Sequence, residues 1–201
     1  NPQEEKSNEK NSNNSEIKLI EENAEEDSEE NPYFKDKFEN ALFAKGISFT
    51  NFNLSKLIIK ALSELEYYTP TKVQEKVIPI ALNGHDIFVN SETGSGKTAC
   101  FLLPIVQRII LSRNNKKDNT LVQNQALIIV PTRELALQCN EMLTKFLKYI
   151  DLNFVFLCGG LSVENQMKQM KNKIPDIIIT TPGRLLDLIY NNKNLSLEHV
   201  N

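Results

Sequence analysis

Residues 86–98 read DIFVNSETGSGKT, and this stretch decides the fold. Its beginning, residues 86–90, is mostly apolar and predicts a short strand. The residues that follow, 91–98, form a glycine-rich stretch that is typical of a loop. An apolar helical pattern starts at about Lys97, so the loop is expected to connect a strand to the N-terminus of a helix.

This loop has the residue types that bind the phosphates of a nucleotide. Gly94 and Gly96 allow backbone amides to turn inward around phosphate oxygens, and the helix N-terminus adds partial positive charge. Lys97 is placed to reach the β- and γ-phosphates, and Thr98 to offer its hydroxyl to Mg²⁺. Ser91 stands where the strict pattern has glycine. The loop predicts a nucleoside triphosphate site, but kinases, GTPases, transporters and helicases share such loops.

Strand and helix patterns alternate three more times after the loop. They predict strands at 126–130, 153–158 and 176–180, followed by helices at 132–149, around 162–171 and from about Arg184. Such alternation is typical of parallel strands joined by right-handed helical crossovers. The strands are apolar along their whole length, as in sheets covered on both faces. We therefore expect an α/β domain with a parallel sheet flanked by helices on both faces.

Two helices are predicted before the loop. Asn53 or Ser55 can cap the first helix, and Thr71 can cap the second. Pro70 lies directly before the second cap and interrupts the helical pattern between the two.

Charge is distributed unevenly along the 201 residues, whose net charge is −3. Residues 1–31 hold eleven acidic residues and three lysines with few apolar side chains, which predicts an acidic disordered segment that acts as a solvated spacer. Residues 32–48 predict a short amphipathic lead-in to the folded domain, residues 49–201. Residues 32–201 hold twenty basic and fifteen acidic residues, a balance that fits a polyanionic partner without identifying one.

Several classes of protein are excluded by composition. Cys100, Cys139 and Cys158 lie in apolar stretches without metal-ligand spacing, which predicts reduced, buried thiols. The isolated His85 and His199 argue against a histidine-based metal or catalytic centre. No apolar run is long enough to span a bilayer, and the polar, acidic start of the chain is unlike a secretory signal.

Four further segments occur in a fixed order around the phosphate loop. They are FTNFNLSKLIIKALSELEYYTPTKVQ (49–74) before it, and PTRELALQ (131–138), Gly159-Gly160 with Gln166 beyond, and TPGRLLDL (181–188) after successive strands. In this order they resemble the Q, Ia, GG and Ib motifs of the DEAD-box RNA helicases of superfamily 2. The resemblance covers the chain from about Phe49 to its end. It implies a RecA-like P-loop NTPase domain, of which residues 49–201 are expected to be an incomplete part that stops before the family's acidic motif.

The Q-motif resemblance implies an adenine nucleotide. Gln74 would read the adenine edge through its amide, which matches adenine and rejects guanine, and Tyr67 would stack on the base. Glu66 departs from the family, which usually has glycine there. The implied nucleotide-binding residues are Phe49, Tyr67, Pro70, Thr71, Gln74, Ser91, Glu92, Thr93, Gly94, Ser95, Gly96, Lys97, Thr98 and Ala99, with Lys97 and Thr98 catalytic and Thr98 the magnesium ligand.

The other motifs imply contacts to the sugar-phosphate backbone of single-stranded RNA, with little sequence preference. All of them follow strands, at the sheet edge where open α/β proteins bind ligands. The implied RNA-binding residues are Pro131, Thr132, Arg133, Glu134, Gly159, Gly160, Gln166, Thr181, Pro182, Gly183 and Arg184.

The resemblance implies an ATP-dependent RNA helicase that uses ATP and Mg²⁺ and unwinds short RNA duplexes. The sequence around NLSKLIIKAL (53–62) and GGLSVENQ (159–166) is most similar to nucleolar helicases of ribosome assembly. This similarity implies pre-ribosomal assembly factors as partners. It also implies the nucleolus as the location, with the cytoplasm as the alternative. A monomer is the default expectation. Two other functions stay open: a catalytically inactive scaffold that clamps RNA, and a P-loop helicase or ATPase that acts on DNA.

The acidic motif of the family does not occur in these 201 residues. In the family, Asp-Glu-Ala-Asp lies on the strand expected next, beside the strand predicted at 86–90. We therefore expect this stretch alone to bind adenine nucleotide weakly and not to hydrolyse ATP.

Overall fold

The structure is a computed structural model that describes residues 42–114, 125–160 and 175–191, together with residues 162, 166, 168, 170, 197, 198 and 200. Residues 1–45 and 46–201 form separate compact units. The predicted acidic segment 1–31 and residues 32–41 of the amphipathic lead-in lie outside the described residues. All helices and strands with defined bounds belong to the second unit.

A 3-10 turn and two helices precede the phosphate loop. The turn is Phe49–Asn51, α1 is Lys56–Glu64 and α2 is Lys72–Leu82. Ser55 caps α1 by accepting a hydrogen bond from the amide of Ile58 at 3.3 Å. Thr71 caps α2 in the same way. Both caps were expected, because a hydroxyl before a helix satisfies one of the free amides of the first turn.

The elements after the loop alternate as expected. They are α3 Lys97–Asn114, β1 Ala126–Ile129, α4 Arg133–Phe146, β2 Phe154–Leu157, β3 Ile177–Thr180 and α5 Pro182–Asn191. The three strands lie within one residue of their predicted bounds. Helix α5 begins two residues before the predicted Arg184, because the fixed φ and missing N–H of proline suit the first helical position. Of the helix predicted around 162–171, residues 162, 166, 168 and 170 are described. Residues 166, 168 and 170 are helical, and residue 162 is not.

The three strands form a parallel sheet in the order β1-β3-β2. Ile177 of the central strand lies level with Ala126 on one side and Phe154 on the other. Directly before it, the buried carboxylate of Asp176 accepts hydrogen bonds from the Arg113 guanidinium at 2.6 Å and from the Asn153 amide at 2.8 Å. Asp176 therefore joins α3, β2 and β3 at the starting edge of the sheet.

Both faces of the sheet carry an apolar core, because alternate side chains of a strand point to opposite faces. The larger core contains Ile177 and Ile179 and is built mainly with α1, α3 and α4. The smaller core contains Ile178, Val155 and Leu188 of α5. The expected α/β fold, with helices on both faces of a parallel sheet, is confirmed.

The strand predicted at 86–90 is absent, so that prediction was wrong. Residues 85–90 pair with no strand, and the Phe88 side chain is 97% exposed. An apolar pattern makes a segment suitable for a strand, but a strand exists only through ladder hydrogen bonds to a neighbour. Within the described ranges, the strand pairs are β1 with β3 and β2 with β3. The outer edge of β1 has no partner there, and Ile129 is 51% exposed.

Candidate nucleotide and RNA site

The phosphate loop lies between residues 85–90, which have no regular secondary structure, and the N-terminus of α3. Gly94 and Gly96 have φ values of +81° and +90°, in the left-handed region that favours glycine. A Cβ at Gly96 would also lie 2.4 Å from Nε2 of Gln74. The loop therefore requires glycine at position 96 for its backbone conformation and for its close approach to α2.

The Lys97 ammonium is turned back onto its own loop. Its Nζ donates hydrogen bonds to the carbonyl oxygens of Ser91 and Glu92, each at 2.5 Å. The Ser91 and Ser95 hydroxyls lie 2.7 Å apart. Thr98 follows on the first turn of α3 and is half-buried. The structure thus brings the predicted loop residues together around the cation that was expected to bind phosphate.

Gln74 and Thr71 attach this loop to the start of α2. The Gln74 amide nitrogen donates to the Gly96 carbonyl at 3.1 Å, and the Thr71 hydroxyl donates to the Ser95 carbonyl at 2.8 Å. Gln74 Oε1 accepts from the Thr71 backbone amide at 2.9 Å. Gln74 is only 5% exposed. These contacts give Gln74 a role in positioning the loop, and its reading of adenine stays a prediction.

The positioning role of Gln74 was missed, although the sequence contains a signal for it. Thr71 and Gln74 fit the capping-box pattern, in which the side chain at the third helical position returns to the cap backbone. Both halves of the box are present at the start of α2. An amide that is committed to the cap points toward the helix start, where the loop lies.

The three predicted RNA segments lie at one edge of the sheet, because each follows the carboxyl end of a parallel strand. Thr132 caps α4 by accepting from the Leu135 amide at 3.3 Å, and Arg133 begins that helix. Gly160 has a φ of +78°, and a Cβ there would lie 3.1 Å from the Arg133 guanidinium. Arg133 therefore lies directly against the Gly159-Gly160 turn.

The exposure of the predicted RNA residues divides them into two groups. The exposed group, which is available to a ligand, is Pro131, Thr132, Arg133, Glu134, Gly159, Gly160, Pro182 and Gly183. Thr181 is half-buried, whereas Gln166 and Arg184 are buried. An edge of exposed glycine amides, hydroxyls and one arginine suits the phosphates of a nucleic acid.

A comparison with known protein families identifies the class of this loop and edge. The family described as DEAD/DEAH box helicase matches residues 71–201. The chain belongs to this family. The match includes the phosphate loop and all three segments at the sheet edge.

Individual relatives agree with this assignment. The protein named ATP-dependent RNA helicase DRS1 from Lodderomyces elongisporus is 43% identical over 157 residues, which cover 78% of this chain and 22% of that protein. The probable ATP-dependent RNA helicase ddx27 of Dictyostelium discoideum is 39% identical over 151 residues, covering 75% of this chain and 18% of the relative. The chain thus spans about a fifth of the length of these curated relatives.

Solved structures show the same fold. A DEAD box protein from Methanococcus jannaschii superposes with a TM-score of 0.65 at 34% identity, over 77% of this chain and 39% of that chain. A hypothetical ATP-dependent RNA helicase from Sulfolobus tokodaii gives a TM-score of 0.58 at 32% identity, over 69% of this chain and 37% of that chain.

The Q-motif aromatics of this DEAD-box chain have different environments. Tyr67 is 39% exposed, and its ring edge meets Phe146 with centroids 6.4 Å apart. Phe49 is buried, and its amide donates to the Tyr68 carbonyl at 3.2 Å. Glu66, which departs from the family's glycine, has a φ of +59°. The backbone therefore keeps a glycine-like turn before Tyr67, whose accessible ring suits the predicted stacking.

Cys158 directly precedes the predicted RNA segment Gly159-Gly160, and the sequence patterns did not identify it as a site residue. Burial raises the pKa of its thiol, while a hydrogen bond with Thr181 and the positive charges of Arg133 and Arg184 act in the opposite direction. Residues of two of the predicted RNA segments, Arg133 and Thr181 with Arg184, thus influence one buried sulfur, and the third segment, Gly159-Gly160, directly follows it in the chain. Its only signal in the sequence is its position at the end of β2, just before the glycine pair.

Gln166 supports the same edge from inside the protein. It is 3% exposed, and its amide nitrogen donates to the Cys158 carbonyl at 2.9 Å. This bond fixes the backbone where β2 turns into Gly159. The structure therefore gives Gln166 a supporting position, and its direct contact with RNA stays a prediction.

The donor set at the loop fits a magnesium ion bound together with a nucleotide. Among the described residues, no group of three or more His, Cys, Asp or Glu side chains forms a metal site. Thr98 offers a single hydroxyl, and Mg²⁺ commonly takes few protein ligands when phosphates and waters supply the others. In the same part of the chain, no helix is both long and apolar enough to cross a membrane.

Proposed function

We propose that the whole protein is an ATP-dependent RNA helicase, an RNA-stimulated ATPase that unwinds short RNA duplexes. The observation that carries this proposal is the presence, in one domain, of a phosphate loop and of three segments that follow the carboxyl ends of parallel strands. Lys97 and Thr98 supply the cation and hydroxyl that a triphosphate with Mg²⁺ requires. Arg133, the glycine pair and the start of α5 supply contacts to a phosphodiester backbone.

On the nucleotide side, the residues of this chain bind and orient. Lys97 would exchange the carbonyl oxygens of Ser91 and Glu92 for phosphate oxygens, and Thr98 would hold Mg²⁺. Bound there, Mg²⁺ would supply positive charge that neutralises the phosphates. Gln74 fixes the loop through Gly96, and Tyr67 offers a ring face to the base. Phosphoryl transfer depends mainly on such positioning and on charge stabilisation.

On the RNA side, contacts to the backbone predict binding with little sequence preference and a strong dependence on salt. Arg133 lies against the glycine turn, so its guanidinium and the turn amides can meet the same strand. RNA bound at this edge and ATP bound at the loop would lie on one rigid domain. Unwinding would follow when a second domain closes on both ligands.

The decisive experiment is steady-state ATPase of the full-length protein, with single-stranded RNA, with single-stranded DNA and without nucleic acid, beside Lys97→Ala. Stimulation by RNA alone, lost in Lys97→Ala, is the expected result. Equal stimulation by DNA would favour a DNA-directed motor. Nucleotide binding with no hydrolysis would favour the RNA-clamping scaffold.

The 201 residues alone are proposed to bind adenine nucleotide weakly and to hydrolyse none, because they contain no Asp-Glu-Ala-Asp sequence. In such motors the first Asp and the Glu of this sequence organise Mg²⁺ and the attacking water. Turnover by the purified 201-residue chain that Lys97→Ala abolishes would contradict this proposal.

We also propose that the protein acts in ribosome assembly in the nucleolus, with pre-ribosomal assembly factors as partners. The support is the similarity of residues 53–62 and 159–166 to nucleolar helicases of that process. Imaging of the tagged full-length protein beside a nucleolar marker tests the location. A uniformly cytoplasmic signal would favour the alternative.

A further inference from the structure

In this structure, side chains of the phosphate loop bind other groups of the same loop, and we call this conformation the closed loop. Lys97 Nζ binds the Ser91 and Glu92 carbonyl oxygens at 2.5 Å each. The Ser95 hydroxyl donates to the Glu92 carbonyl at 2.8 Å. The Ser91 and Ser95 hydroxyl oxygens are 2.7 Å apart. These four residues, which we call the loop ring, satisfy one another without a ligand.

The direction of the bond between the two serines follows from counting protons. A serine hydroxyl has one hydrogen to donate. Ser95 uses its hydrogen on the Glu92 carbonyl, so Ser91 must be the donor in the bond to Ser95. The bonds then run from Ser91 to Ser95 to Glu92, and Glu92 also accepts from Lys97. Ser91 thus begins the chain of bonds that ends at the carbonyl holding the lysine.

The loop ring competes with a nucleotide for Lys97. A phosphate can take the ammonium only after the ammonium leaves the two carbonyl oxygens. Any contact that exists only in the closed loop lowers the apparent affinity for nucleotide, because binding must first remove it. Glycine, which the strict loop pattern has at position 91, lacks the hydroxyl that makes this contact.

We infer that Ser91 is a positioning residue that stabilises the loop ring and weakens nucleotide binding by acting through Ser95, Glu92 and Lys97. This inference rests on the proposed function, since it requires that the loop binds nucleotide. Loss of the Ser91 hydroxyl removes one hydrogen bond from the loop ring. We expect nucleotide to bind about three- to ten-fold more tightly as a result.

The experiment is a fluorescence titration of the full-length protein with N-methylanthraniloyl-ADP, for wild type, Ser91→Ala and Ser91→Thr. Ser91→Ala is expected to lower the Kd by that factor and to lower the KM for ATP more than it changes kcat. Ser91→Thr keeps the hydroxyl and is expected to stay within about two-fold of wild type. Ser63→Ala, on the exposed side of α1, is the matched control for losing a serine hydroxyl.

The outcomes separate this inference from the proposed function. Wild-type protein that binds no nucleotide would overturn the proposed function itself. Nucleotide binding by wild type with an unchanged or raised Kd in Ser91→Ala would overturn the role of Ser91 alone. An equal gain in Ser91→Ala and Ser91→Thr would also overturn it, because the hydroxyl would then have no part in the effect.

Discussion

Replacing Glu66 with glycine is expected to stabilise the helicase domain by about 0.5–1 kcal/mol. Glu66 has a φ of +59°, and the left-handed region costs a residue with a side chain about 1–2 kcal/mol. Glycine avoids this cost, but it loses more backbone freedom on folding, which offsets about 0.5–1 kcal/mol of the gain. The turn itself is retained, because the Glu66 amide donates to the Ser63 carbonyl at 3.1 Å and the Tyr67 amide to the Leu62 carbonyl at 2.9 Å.

Urea unfolding followed by circular dichroism measures this change in the free energy of unfolding. In a thermal melt of the same protein, the unfolding temperature should rise by about 1–4 °C for a domain of this size. Glu66→Ala removes the same carboxylate but keeps a Cβ, so it should give no gain. Ser63→Gly, in the last turn of helix α1 just before Glu66, should instead lower the free energy of unfolding by about 0.5 kcal/mol. Equal stability of Glu66→Gly and Glu66→Ala would refute the argument from backbone conformation.

Three further predictions concern buried polar groups. Asp176→Asn, which removes the charge paired with Arg113, should lower the free energy of unfolding by about 2 kcal/mol in urea titrations. The control Asp86→Asn, at an exposed position, should change that free energy by less than about 0.5 kcal/mol. Gln166→Ala should raise the RNA concentration for half-maximal ATPase stimulation about three- to ten-fold, more than it changes kcat at saturating RNA; an unchanged RNA requirement would remove its supporting role. Burial raises the pKa of Cys100 to about 11, so at pH 8 this thiol should react with iodoacetamide at least about ten-fold faster in urea than in the native protein, as mass spectrometry can measure.

Much of this fold was predictable because its signals are local. The apolar runs at 126–130, 153–158 and 176–180 became β1, β2 and β3, and the hydroxyls of Ser55 and Thr71 became caps. Each of these features depends on residues close together in the chain. Residues 86–90 show the limit, because an apolar pattern carries no information about which strand lies beside it.

The candidate site was predictable as a set of residues but not as a set of contacts. Motif order gave the loop and the three segments at the sheet edge. The bond from Gln74 to Gly96 and the meeting of segments around Cys158 depend on how distant parts of the chain pack. The Ser91–Ser95 bond was also not predictable, because the direction of a side chain within a loop follows from its backbone angles.

The capping box of α2 has a consequence for motion. Thr71 accepts from the Gln74 amide and donates to the Ser95 carbonyl, so one hydroxyl serves both the helix and the loop. Movement of the loop away from α2 would therefore also disturb the first turn of that helix. Hydrogen exchange at the Gln74 backbone amide would then report the occupancy of the loop, whose Ser95 lies 24 residues after Thr71 in the sequence. The first turn of helix α2 would thus respond to ligand binding at the loop.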